Sequence, residues 1–540
     1  MNTGNGHKKS EAIPIIEWVS RHSSMIPKRA AVKDRFGNVL TYGELESKSN
    51  QLANALRGLG LRTGQAFLTW MDDDIINIVA YLAAAKAGLM VVPVSERLQA
   101  PEVEFIIGEV DPRVILYSDS VFEQLSRCTE SASLDGRITL AAGSSLVKGS
   151  LLLTEVMNGA SRTAETAHHL ESDQPFLIAF SSGTTGRPKG AVLTGSTIRE
   201  IAIISAMSRR LGFFSTGVSS GSLSFPSTIM ATVFTHLYMG SCIVLMGRGW
   251  DIDELLAVVE REHAAYVNVL APHFRDFAHA INRHPATLRS LTSVVHGGSR
   301  VPSNEVAMLH EVVGSRLIEV WGMVENSGGP LTATTQIDYG PTSETRNIFD
   351  SVGRAVPQCS VEIIDANGSP LPHDGTSIGE LVVKSPALML GYWRRPSDTE
   401  RVLHDGHYHS GDLGSIDSEG FVFIADRRED LIVSGGANIY PSEIERVLME
   451  CPQVIEVAVI GIPHEKWGRT PVAVVIAERD SGLSEADVMS FLHSRLASYK
   501  KPTRIIVSEK NLPRNVSGKI VRTMVESIYL RSTSELLDTN

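Results

Sequence analysis

Short apolar runs recur through the first two thirds of the chain, separated by stretches of helical period. They are Val91 to Val94, Val114 to Tyr117, Phe176 to Phe180, Cys242 to Met246, Tyr266 to Leu270, Ser293 to His296 and Leu317 to Trp321. Runs of this length between turn residues predict buried strands, and patterns such as Asp253 to His263 predict the helices between them. The alternation predicts an α/β architecture of parallel-rich sheets flanked by helices. Thr41 followed by Glu44 predicts a capping box that opens a helix ending at Gly58 or Gly60.

Two later segments, Gly379 to Lys384 and Gly420 to Ile424, predict strands of a smaller β-rich unit. Beyond Arg427 the pattern changes. Pro441, with Glu443 and Glu445 behind it, predicts a helix start. Val454 to Ile460 and Val472 to Ile476 predict strands, and Ser484 with Asp487 predicts a capped helix with an apolar face of Val488, Phe491, Leu492 and Leu496. These elements make an α+β module of roughly a hundred residues, a usual domain size. The expected division is a large domain over residues 1–428 and a smaller one over 429–540.

Composition narrows the function classes. The 540 residues are 43% hydrophobic and 21% charged, as in a soluble enzyme, and the net charge of -11 with no basic stripe argues against a nucleic-acid partner. Four scattered cysteines, Cys128, Cys242, Cys359 and Cys451, indicate neither a zinc knuckle nor a disulfide framework. The apolar stretch Ile78 to Val94 contains Tyr81, Lys86 and Pro93, so it reads as a buried helix ending near Gly88 and then a strand, not a membrane span. The polar start lacks the apolar core of a signal peptide, and the cytoplasm is the expected location. Monomer and homodimer both remain open.

The densest chemistry lies in Ser181-Ser182-Gly183-Thr184-Thr185-Gly186-Arg187-Pro188-Lys189-Gly190, directly after a predicted strand. Glycines let a backbone approach a charged ligand closely, and hydroxyls and amides donate to phosphate oxygens. The register is not that of a P-loop, G-x-x-x-x-G-K-[ST]. It resembles the phosphate loop of the adenylate-forming superfamily: acyl- and aryl-CoA synthetases, adenylation domains of peptide synthetases and beetle luciferases.

Four further motifs resemble that family in order and approximate spacing. His296-Gly297-Gly298-Ser299 is similar to its segment beneath the nucleotide. Trp321-Gly322-Met323-Val324-Glu325 occupies the slot of Tyr-Gly-x-Thr-Glu, and the resemblance implies Trp321 as the adenine platform and Glu325 as the Mg²⁺ ligand. Val324 departs from the pattern and cannot supply the threonine hydroxyl. Gly411-Asp412 would hold the ribose, together with Arg427, and Glu429 falls at the hinge. Gly435 and Gly436 would line the pantetheine channel. Lys519, in Pro513-Arg514-Asn515-Val516-Ser517-Gly518-Lys519, resembles the catalytic lysine, with Glu325 and Thr184 as its catalytic companions.

The resemblance implies ATP and Mg²⁺ as requirements, CoA as co-substrate, and a mobile C-terminal domain. For the acid, Pro226 stands where amino-acid-activating relatives carry an aspartate, so an ammonium would lack a counter-charge there. Phe225, Ala271, His273 and an open floor at Gly322 imply a pocket for a medium-chain, aromatic or alicyclic acid. Trp467 falls near the expected pantetheine position, and Lys500 and Lys501 are either nucleotide-phosphate contacts or a solvated pair. The leading expectation is an acid–CoA ligase. An acyl-AMP ligase serving a carrier protein, a luciferase-like oxygenase and a non-catalytic nucleotide binder are the alternatives.

Overall fold

The computed structural model describes residues 15–130, 134–164, 173–181, 188–299, 301–339, 348–427, 430–434, 437–464, 466–479, 481–493, 495–515 and 518–537. Two large sheets, a small antiparallel sheet and a C-terminal sheet organise these residues. One large sheet is parallel from Ala30–Asp34 through Cys242–Leu245, Thr216–Ser219, Tyr266–Asn268 and Ser293–Gly297 to Leu317–Gly322. The other is parallel from Leu151–Leu152 to Pro175–Ser181, beyond which Lys189–Thr194 and then Gly391–Tyr392 add on antiparallel. Strands in these parallel cores are buried on both faces, which is why they read as continuous apolar runs rather than as alternation.

The capping box forms as expected. The Glu44 amide donates to Thr41 Oγ1 at 3.2 Å and the Thr41 amide to Glu44 Oε2 at 2.9 Å, opening the helix Tyr42–Gly58. The apolar stretch from Ile78 is the helix Ile75–Ala87, closed by Gly88 at φ +71°, followed by the strand Met90–Ser95. Its one basic residue, Lys86, is neutralised by Glu46 at 2.7 Å and bonded to Asn50 and Ser49. No helix among the described residues is long and apolar enough to cross a membrane.

A continuous core runs from Trp18 to Val422 and joins both large sheets to the small one. The C-terminal unit has separate cores, drawn only from residues between Ile432 and Tyr529. It packs the helices Pro441–Met449 and Glu485–His493 on a sheet dominated by Val454–His464 and Gly468–Ala477. The strand expected at Gly420 to Ile424 instead spans Val422–Arg427 and pairs antiparallel with His407–Ile416. That shift sets Arg427 directly opposite Asp412.

Candidate nucleotide and acid site

The parallel strands Ser293–Gly297 and Leu317–Gly322 end side by side, with Gly297 opposite Val320. Such carboxyl ends are where open α/β sheets bind ligands. Both end in glycine for steric reasons. A Cβ on Gly297 would lie 2.5 Å from the Val320 side chain, and one on Gly322 would overlap the Gly329 carbonyl oxygen. The expectation that Gly322 keeps a pocket floor open is therefore not needed to explain it; the antiparallel partner Pro330–Ala333 already demands a glycine there. Gly298 adopts φ +88°, and Ser299 beyond it is exposed. Beneath them His296 Nδ1 and Glu319 Oε2 are 2.7 Å apart in a buried pair, of which only His296 falls in a sequence motif.

Asp412 is the centre of the polar cluster. Its Oδ2 accepts the indole N–H of Trp321 at 3.0 Å, and its Oδ1 lies 2.5 Å from Nε of Arg427. Burial pushes the Asp412 carboxyl above its ordinary range, against the opposing pull of Arg427, the indole donor and Lys519. Lys519 comes from the C-terminal unit and is exposed, yet it stands close enough to the large unit to feel the charges of Arg427, Asp412 and Glu325. Burial and then the Arg427 charge lower its pKa, while Asp412 and Glu325 favour the charged amine. Thus Trp321, Asp412, Arg427, Glu325 and Lys519, distant in sequence, share one electrostatic neighbourhood.

Glu325 sits in the one-turn helix Val324–Asn326, and its Oε1 accepts the Tyr392 hydroxyl at 2.8 Å. Tyr392 belongs to the two-residue strand Gly391–Tyr392, paired antiparallel with Lys189–Thr194. Lys189 Nζ donates to Asp398 at 3.2 Å and lies 5.3 Å from the centre of the Tyr392 ring. The exit of the expected phosphate loop is therefore tied to the residue that holds Glu325. Tyr392 and Asp398 escape a reading of the sequence; the Gly-Tyr-Trp segment ahead of Pro396 is the available signal.

Several of the other expected site residues have no described placement. Ser182, Gly183, Thr184, Thr185, Gly186, Glu429, Gly435 and Gly436 fall outside the described residues, as does the side chain of Ser181. Phe225 precedes a short helix at Pro226–Thr228 and a π-helical stretch, Ile229–Phe234. Gly328 abuts that corner so closely that a Cβ would overlap the Ser227 amide. His273 is half-buried against Trp250, at 4.7 Å between ring centres, and Ala271 begins the same turn. Trp467 is exposed, with the Lys466 ammonium 4.5 Å from its ring centre. Lys500 is bound by Glu443 at 2.7 Å and Lys501 by the His493 carbonyl, so both are engaged locally.

The chain belongs to the AMP-binding enzyme family: the family model "AMP-binding enzyme" matches residues 19–393, and "AMP-binding enzyme C-terminal domain" matches residues 443–519. It is 28% identical to an indoleacetate–CoA ligase of Aromatoleum aromaticum, over 96% of this chain and 98% of that protein. It is 30% identical to a fatty acid–[acyl-carrier-protein] ligase of Streptomyces coeruleorubidus, over 94% and 95%. Among solved structures, ATP-bound MatB from Rhodopseudomonas palustris superposes with a TM-score of 0.84 at 25% identity, covering 96% of this chain and 99% of that one.

Proposed function

We propose that this protein is an AMP-forming acid–CoA ligase that activates a medium-chain, aromatic or alicyclic carboxylic acid as its adenylate. The observation that carries the reading is the meeting of Lys519, from the C-terminal unit, with Glu325, Asp412 and Arg427 of the large unit. A carboxylate attacking ATP brings negative charges together, so the reaction needs cations held where that charge develops.

The donor set fits the substrates. A carboxylate offers about four lone-pair positions; Trp321 and Arg427 use one on each Asp412 oxygen, leaving positions for two ribose hydroxyls. Glu325 has one oxygen bonded to Tyr392 and keeps the other for a cation, and magnesium favours a few carboxylates with substrate oxygens. Bound there, Mg²⁺ would neutralise phosphate charge. Lys519 then contributes a positive charge between acid and α-phosphate, and its lowered pKa reflects how incompletely solvated that position is. Losing one preorganised donor of this kind costs about 3–4 kcal/mol of transition-state stabilisation.

After adenylation, the residues that suit a thiol differ from those around Lys519, so the C-terminal unit would rotate and withdraw the amine. The acid assignment is supported by relatives named for indoleacetate, ferulate, long-chain fatty acids and 2-succinylbenzoate. A second reading, transfer to a carrier protein, is favoured by the similarity to the carrier-protein ligase.

Exchange of labelled pyrophosphate into ATP, run with hexanoate, octanoate, decanoate, phenylacetate, indoleacetate and ferulate, tests adenylation. Exchange without CoA is expected for at least one acid, and none for any acid overturns the reading. CoA-dependent AMP release with the active acid is then expected. Release only with an acyl carrier protein would select the second reading.

A further inference from the structure

The strands Ala66–Met71 and Thr216–Ser219 belong to different large sheets, yet the loops at their carboxyl ends meet. Asp73 Oδ1 accepts the Leu223 amide at 2.6 Å and the Ser222 hydroxyl at 2.9 Å. The Leu223 carbonyl accepts the hydroxyl of Tyr81, from the helix that follows Asp73, at 2.7 Å. Both backbone polar groups of the buried Leu223 are thus held by one nine-residue stretch, Asp73 to Tyr81, that follows a strand of the other sheet. Ser222 also bonds Ser224 at 3.0 Å, and the Phe225 amide bonds back to the Ser222 carbonyl at 3.2 Å. On its far side the corner at Pro226 and Ser227 rests against Gly328, three residues beyond Glu325.

We infer that Asp73 is a positioning residue for acid selection: its carboxylate clamps the Ser222–Phe225 loop and so fixes the wall that Phe225 presents to the substrate. The inference rests on the reading of Phe225 as part of the acid pocket. The clamp is anchored at one end by Asp73 and Tyr81 and at the other by the Gly328 turn, so loosening it would move Phe225 without disturbing Asp412 or Lys519.

The clamp is also sensitive to protonation. Burial, and then the charge of Glu96, push the Asp73 carboxyl up to about 6, against its two hydrogen bonds and Arg97. Glu96 is itself held by Arg248 at 3.2 Å and Arg97 at 3.7 Å, and the Tyr81 hydroxyl feels the charge of Asp73. Above that pH the ionised carboxylate accepts charge-assisted bonds, which are about twice as strong as neutral ones. Below it the acceptor is neutral and the loop is held less firmly.

The test uses the full-length enzyme and the best of the six acids above, which stay ionised from pH 5.5 to 8. In the native protein the KM for the acid should rise severalfold from pH 7.5 to 5.5, with the KM for ATP unchanged. Asp73→Ala should raise the acid KM about tenfold at pH 7.5 while leaving kcat within about twofold, and should flatten the ranking among the acids. Asp73→Asn keeps an oxygen acceptor, so it should restore most of the acid KM at pH 7.5 and abolish its acidic rise. Unchanged acid KM in Asp73→Ala, equal losses in the acid and ATP parameters, or an acidic rise persisting in Asp73→Asn overturns the clamp. Should Asp73→Ala fail to fold, the pH profile of Asp73→Asn decides alone. Phe225→Ala separates the underlying reading: an unaltered acid ranking there removes Phe225 from the pocket, whereas an altered ranking with a silent Asp73→Ala overturns only the clamp.

Discussion

The Tyr392 hydroxyl donates to Glu325 Oε1 at 2.8 Å, so a residue in a two-residue edge strand sets the orientation of the carboxylate assigned to magnesium. Burial and the adjacent Glu325 charge raise the Tyr392 pKa, so the hydroxyl stays a donor throughout the neutral range.

Tyr392→Phe removes that donor while keeping the ring that Lys189 faces. Losing a hydrogen bond to a charged group costs about 1.5–3 kcal/mol. The expected outcome is a fall in pyrophosphate exchange of about tenfold or more, partly recovered at high Mg²⁺. A magnesium titration of both proteins checks it; coincident curves would detach Tyr392 from the metal site.

Lys519 gives a pH prediction on the alkaline side. Its pKa is lowered by burial and by Arg427, so the amine loses its charge at lower pH than an ordinary lysine. Adenylation should therefore decline as pH rises, before the thiol-transfer step does. Lys519→Arg stays charged throughout, so any residual adenylation in it should lack this decline. Lys519→Ala should lose adenylation yet still pass a supplied acyl-adenylate to CoA. Half-reaction rates from pH 7 to 10 measure all three, and equal loss of both half-reactions in Lys519→Ala would contradict the assigned role.

Much of this arrangement is legible in the amino-acid sequence alone. Buried parallel strands announce themselves as apolar runs, and the expected Val114 to Tyr117 coincides with the strand found. The motif residues Trp321, Asp412, Arg427 and Lys519 stand out by resemblance, and the fold brings them together. Other features have no local signal. Tyr392 is in a strand only because Lys189–Thr194 pairs with it, and Asp73 meets Ser222 across a sequence separation of 149 positions. The steric demand at Gly322 also has no local signal, because the carbonyl that excludes a side chain belongs to Gly329, reached through strand pairing rather than sequence proximity.

Val324 begins the turn that carries Glu325 and is only partly buried against the core. Threonine has nearly the same shape, and at this exposure its hydroxyl need not be stranded away from water. Val324→Thr should therefore fold normally and raise adenylation by up to about tenfold, the worth of one added neutral hydrogen bond. Single-turnover adenylate formation measures this, and a severe loss in a folded variant would mean that the phosphate is held by a different arrangement of donors.

Asp412 should separate stability from activity. Its pKa is raised, so the folded state prefers the protonated acid more than the unfolded chain does. A group of that kind contributes stability below its unfolded pKa and loses it as pH rises through the folded value, so at neutral pH the ionised form is a net burden. Arg427 offsets part of the burden, but its side chain is 44% exposed and the attraction is screened. Asp412→Asn removes the charge and keeps one oxygen acceptor, which cannot serve the Trp321 indole, Arg427 and two ribose hydroxyls together. Thermal unfolding at pH 7.5 should show a Tm equal to or above that of the native protein, while the KM for ATP rises at least tenfold. A lower Tm with ATP binding intact would reverse both assignments: the carboxylate would then serve the fold, and the ribose would be held by another residue.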